Sequence, residues 1–182
     1  MRSIGLFSLL VFLILSGCNA QPAKPAQPAS DYKPTFPIEE VMGHIVMPNA
    51  DKLWGSVATT VSAKGVEEIF PKTDEDWETV RNYAVTIAEA TNLLLIPGRR
   101  VAAPGKTEAD KSELSPDKID AKIKADPAMW YSHVAKLHDV AMESIAAIDK
   151  KNSDALLEAG DHLDKACEEC HLVYWYPNEK VP

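Results

Sequence analysis

The stretch that most constrains this chain closes its last amphipathic run: Cys167-Glu168-Glu169-Cys170-His171. On a helix, positions i, i+3 and i+4 share one face. Cys167, Cys170 and His171 therefore project together, while Glu168 and Glu169 fall on other faces, open to water. Two thiols and an imidazole at this spacing form the attachment signature of a c-type haem. The thiols add to the two vinyl groups and the imidazole reaches the iron.

Other readings of the same residues compete. A thioredoxin-like Cys-x-x-Cys opens a helix inside a βαβ pattern, whereas no strand pattern precedes this one. A structural zinc site takes four ligands, commonly a second Cys or His pair. The one further cysteine, Cys18, lies in a different context. A chance match to so short a motif is disfavoured by the export signals that follow.

The chain opens Met1-Arg2, runs apolar from Ile4 to Leu15 and reaches Leu15-Ser16-Gly17-Cys18. One positive charge, a short apolar core and small residues describe an export signal rather than a spanning helix. Leu-Ser-Gly-Cys resembles a bacterial lipobox, in which cleavage leaves Cys18 as the lipid-bearing first residue. The three cysteines are then accounted for, one to lipid and two to haem, with no disulfide to make. Asn19 stands where an inner-membrane retention signal often shows Asp, which favours outer-membrane sorting in a Gram-negative host. The expected location is the cell envelope, anchored by lipid and facing the periplasm.

The formal net charge is −8, which argues against nucleic acid or an anionic membrane surface as the main partner. A basic redox protein is the electrostatically matched partner. An acidic surface also serves solubility.

Three segments follow: a leader over 1–17, a lipid-anchored tether rich in Pro and Ala over 18–37, and a folded domain over 38–182. The tether has few apolar anchors and reads as extended chain. In the domain, Ile38, Met42, Ile45, Leu53, Val57 and Val61 recur at helical spacing, interrupted by Pro48, which either kinks one helix or starts a second. Thr73 with Asp76 resembles a capping box ahead of Trp77, Val80, Ala84, Ile87, Thr91 and Leu94. Pro97-Gly98 stops that helix. After a polar loop, Ser115-Pro116 starts a short helix through Lys124. Asp126-Pro127 opens a third main helix carrying Trp130, Val134, Leu137, Ala141, Ile145 and Ile148. Ser153 is a good cap for the last helix, whose inward residues are Leu156, Ala159, Leu163, Ala166 and Cys170. Four amphipathic helices without an alternating strand pattern predict an all-α, antiparallel four-helix bundle, with haem attached to the last helix.

That order, with Cys-x-x-Cys-His on the fourth helix, resembles the class II c-type cytochromes: the cytochromes c′ and their low-spin relatives. The resemblance covers roughly residues 38–176. It implies one covalent haem c, His171 as the proximal iron ligand and thioether bonds to Cys167 and Cys170. It also implies that a residue of the first helix covers the opposite iron face. A methionine there gives a low-spin carrier of single electrons. An apolar residue gives a five-coordinate site that takes up nitric oxide or carbon monoxide. Two features depart from the pattern: the Cys-His-Leu-Val-Tyr-Trp-Tyr-Pro ending lacks the basic residue often found after the histidine, and Pro48 interrupts the first helix.

Met42, on the stripe with Ile38 and Ile45, is the expected distal ligand; a lone methionine on such a stripe is otherwise core packing. Met47 lies to one side beside Pro48, and His44 lies off the stripe. His133, His138 and His162 lack ligand spacing and default to surface or satisfied core positions. Tyr174, Trp175 and Tyr176 either shield a haem edge or pack the bundle end. Arg99 and Arg100 either pair with haem propionates or complement a helix end. With no nucleophile–base pair or phosphate loop, the expected function is electron transfer rather than enzymatic turnover; a peroxidase-like activity at an open iron is the lesser alternative, since no distal His–Arg pair is recognisable. Homodimerisation stays open.

Overall fold

The computed structural model describes residues 32–107 and 109–177, which are mostly helical with one small two-stranded sheet. The expected leader over 1–17, and with it Cys18, the residue expected to bear lipid, lies outside the described residues.

Pro48 produces neither a simple kink nor a clean break. The chain forms α1 (Ile38–Val41), a wide π-helical turn (Met42–Val46) and α2 (Met47–Trp54), with Pro48 in the first turn of α2. Proline has no N–H for the carbonyl four residues back, and its ring crowds that carbonyl. The wider turn absorbs the misfit: Met47 N–H bonds Met42 O, and the Asn49 side chain donates to Ile45 O at 2.7 Å. An inserted residue also rotates the buried stripe. The fully buried positions are Ile38, Val41, Val46, Ala50 and Leu53, while Met42 and Ile45 move to its half-buried margin.

The expectation of an all-α chain is corrected after Trp54. Residues Ala58–Ser62 (β1) and Gly65–Ile69 (β2) pair antiparallel as a hairpin, with Val61 opposite Val66. Val57 is buried, but Val61 is 77% exposed, so it ends no helical stripe. The β-branched run Val57, Thr59, Thr60, Val61 suits a pleated strand, and Gly65, at φ 123°, takes a turn conformation that L side chains rarely adopt.

The later helices follow their sequence signals. In α3 (Asp74–Leu94) both halves of the Thr73–Asp76 capping box form, and all six stripe residues are buried. Pro116 starts α4 (Pro116–Ala125). The Asp126 side chain accepts from Met129 N–H to start α5 (Pro127–Asp149). Asn152 rather than Ser153 caps α6 (Ser153–Tyr174), accepting from Ala155 N–H at 3.1 Å.

Helix α5 packs against α3 and α6, and α2 packs against α3. Ala84, Ala141 and Ala159 have no exposed surface, so backbones approach closely where they lie. Trp54 donates its indole N–H to Gly160 O at 3.0 Å, joining α2 to α6.

The loop after α3 and helix α4 tie the ends together. Arg100 O and Val101 O accept the Ile38 and Glu39 amides at 2.8 and 3.0 Å. Asp120 of α4 accepts from Val101 N–H at 3.1 Å and Arg100 Nε at 3.3 Å. At the other end of α4's reach, Lys122 Nζ donates to Val173 O at 2.6 Å, and Leu114 N–H to Trp175 O at 2.7 Å. These bonds hold α1, α4 and the end of α6 around one cavity.

Candidate functional site

Along α6 the core residues Leu156, Ala159, Leu163 and Ala166 set the face that turns inward. Three- and four-residue steps from Ala166 bring Cys170 onto that face, with Cys167 and His171 beside it. All three line one cavity, partly open to solvent, with a volume of about 50 Å³.

The other walls are almost wholly apolar. Ile38 and Met42 come from the first helical run, Ile119 and Ile123 from α4, and Val134 and Leu137 from α5. Of the three first-run candidates, only Met42 lines this cavity. His44 has its side chain 77% exposed and pairs with Glu40 at 3.0 Å, while Met47 is half-exposed.

Burial sets the protonation of the motif. It pushes the Cys167 thiol up to about 11, helped by the negative charges of Asp164 and Glu168, and the Cys170 thiol up to about 12, helped by Cys167. Both sulfurs are therefore neutral thiols at neutral pH, unlike the thiolates of reactive Cys-x-x-Cys sites. Burial lowers the His171 pKa, against an opposing pull from Glu168. The imidazole is thus neutral, the form that ligates metal. Glu168 is less solvated than its position suggested: it is half-buried and accepts from the Tyr176 hydroxyl at 2.7 Å. Glu169 pairs with Lys136 at the surface.

Two polar groups stand on the cavity wall: His133, which the sequence left without a site role, and Tyr174, weighed there only as a shield or as packing. His133 lines the cavity from α5. Its signal was its place between Trp130 and Leu137 on the inward stripe. Tyr174 is 4% exposed, and its hydroxyl is the one fully buried side-chain polar atom without a partner among the described residues. Its ring meets Trp130 edge-on at 5.2 Å and His133 at 5.9 Å. An unpaired buried hydroxyl costs about 1–3 kcal/mol, so a ligand acceptor in the cavity would offset a real penalty.

The remaining candidates lie elsewhere. Arg99 donates to Leu93 O at 2.7 Å, serving the end of α3, and Arg100 pairs with Asp117 and Asp120. His162 bonds Glu143 at 3.0 Å, and His138 lies 3.6 Å from Asp139. Among the described residues no three His, Cys, Asp or Glu side chains cluster to hold a bare metal ion. An iron held by a tetrapyrrole asks for no such cluster, because the macrocycle supplies four ligands. Paired thiols, a neutral imidazole, a thioether, apolar walls and an orphaned hydroxyl together fit a covalently attached haem. Neither a scan against protein-family models nor a search of curated proteins finds a match to this chain.

Proposed function

We propose that this chain is a monohaem c-type cytochrome that carries single electrons in the bacterial periplasm. The observation that carries the reading is the convergence of Cys167, Cys170, His171 and Met42 on one apolar cavity. In this reading α3, α5, α6 and the α1–α2 run are the members of an antiparallel four-helix bundle. Haem c bound there would supply reversible one-electron iron chemistry. The chain's own part is to fix and tune it. Cys167 and Cys170 anchor the ring covalently, His171 is the proximal ligand, and Met42 is the distal ligand. The aliphatic walls exclude water, which favours the less charged iron(II) state, as does a neutral thioether.

Cys18 is proposed to carry lipid, holding the domain at the outer membrane by its Pro-rich tether. Wild-type protein should then partition with membranes, and Cys18→Ser should not. Equal partitioning with an unchanged N-terminal mass would count against lipidation. A redox protein, basic where it docks, is the proposed partner.

A second reading, a five-coordinate cytochrome c′ that binds small gases, is favoured by one observation. Apart from Met42, the first-run wall is aliphatic. Both readings require covalent attachment. Expressed with a haem-maturation system, the protein should exceed its apoprotein mass by one haem and keep it through acid–organic extraction. Extractable haem with two free thiols would sink both. Ferric and ferrous absorption spectra separate them: six-coordinate low-spin bands support the electron carrier, five-coordinate high-spin bands the gas binder.

A further inference from the structure

Within the apolar cavity, Tyr174 and His133 stand side by side. The Tyr174 hydroxyl is buried and unpartnered, and its ring meets His133 edge-on at 5.9 Å. Both line the same space as Cys170 and His171. A packing role alone would be served by phenylalanine, which keeps the edge-on contact to Trp130 without an orphaned donor. The hydroxyl therefore calls for an acceptor carried by whatever fills the cavity.

Resting on the haem reading, the choice of acceptor is narrow. Once both vinyl groups are thioethers and the pyrrole nitrogens hold iron, the hydrogen-bonding groups left on the ring edge are its two carboxylates. We infer that Tyr174, with His133 beside it, forms a polar subsite that hydrogen-bonds one carboxylate of the bound tetrapyrrole. Tyr174 is here a positioning residue: it donates a proton in a hydrogen bond and takes no part in electron transfer. This also answers the missing basic residue after His171, since Arg99 and Arg100 are engaged by Leu93 O, Asp117 and Asp120.

The test is Tyr174→Phe in the haem-loaded protein, read by resonance Raman and by the midpoint potential. The haem should stay attached with unchanged axial bands. The carboxylate bending mode should shift, and the potential should fall because the carboxylate loses a donor and keeps more negative charge. Replacement of Tyr174 by 3-fluorotyrosine, a stronger donor of nearly equal size, should move the mode the opposite way. It serves as the test if the phenylalanine variant fails to fold. An attached haem whose carboxylate mode ignores both replacements overturns the subsite. So does a change confined to the stretch of bound carbon monoxide, which would put the hydroxyl beside a gas ligand. A wild-type chain without covalent haem is a different failure, that of the haem reading itself.

Discussion

Met42, His44 and Met47 are close in sequence, yet burial sorts them. Met42 faces the cavity at the margin of the buried stripe, whereas His44 and Met47 turn to solvent. If Met42 supplies the sixth ligand, Met42→Ala should open the iron. Absorption spectra should move toward high spin, carbon monoxide should bind readily, and the potential should fall with loss of the soft thioether. Stability should drop by less than the roughly 2–5 kcal/mol of a fully buried Met→Ala change, because Met42 is only half-buried. Met47→Ala and His44→Ala should leave the spectrum nearly intact. A wild-type spectrum that is already five-coordinate, or an iron opened by Met47→Ala instead, would defeat the assignment. The shared face of Cys167, Cys170 and His171 was legible from spacing, because a helix turns steps of three and four into neighbours. Met42 was singled out only with the help of the resemblance, which sets a first-helix residue opposite the iron. Tyr174's orphaned hydroxyl was not legible, since partnering depends on residues far apart in the chain.

The long helices carry their own start signals, and the Thr73 box is the clearest. Asp76 Oδ2 accepts from the Lys72 and Thr73 amides at 3.0 and 2.9 Å, and Thr73 Oγ1 accepts from Asp76 N–H at 3.1 Å. The Thr73 backbone bond, then the Lys72 one, holds the Asp76 carboxyl below its ordinary value of 3.8. A carboxyl depressed on folding contributes stability that is complete above its unfolded pKa and disappears as pH falls through its folded one. Asp76→Asn should therefore flatten the acid limb of a stability–pH curve below about pH 4, and Thr73→Ala should cost about 1 kcal/mol at neutral pH. Denaturant unfolding across that range checks both; parallel acid limbs for wild type and Asp76→Asn would show that the box does not link to pH. Such boxes and the period of α3, α5 and α6 were legible because their signals are local. The hairpin was hidden because Val57 and Val61, four apart, satisfy a helical stripe as well as a strand, and its exposed faces show no alternation of burial. The π turn was equally hidden: Pro48 announced a disturbance, but whether a helix kinks, restarts or widens depends on what packs against it.

Taken whole, the molecule is acidic, while the groove adjoining the cavity includes Arg99, Arg100 and Lys124 beside Asp120. Arg100 is balanced by Asp117 and Asp120, so the local positive excess is small against a net charge of −8. If the chain carries electrons as proposed, the field that a redox partner would feel depends on distance. At about 0.01 M salt the screening length is roughly 30 Å, and the whole charge acts; near 0.15 M it is about 8 Å, and only the rim does. If the net charge steers encounter, oxidation of the reduced protein by a cationic complex such as hexaammineruthenium(III) should be fastest at low salt. It should slow as salt is added, while the rate with ferricyanide should rise. The two rates should converge toward physiological ionic strength, leaving orientation at the rim to decide specificity. Stopped-flow rates across that salt range measure this directly. Faster ferricyanide oxidation at low salt would mean that Arg99 and Lys124 govern the approach, and that the partner surface is acidic rather than basic.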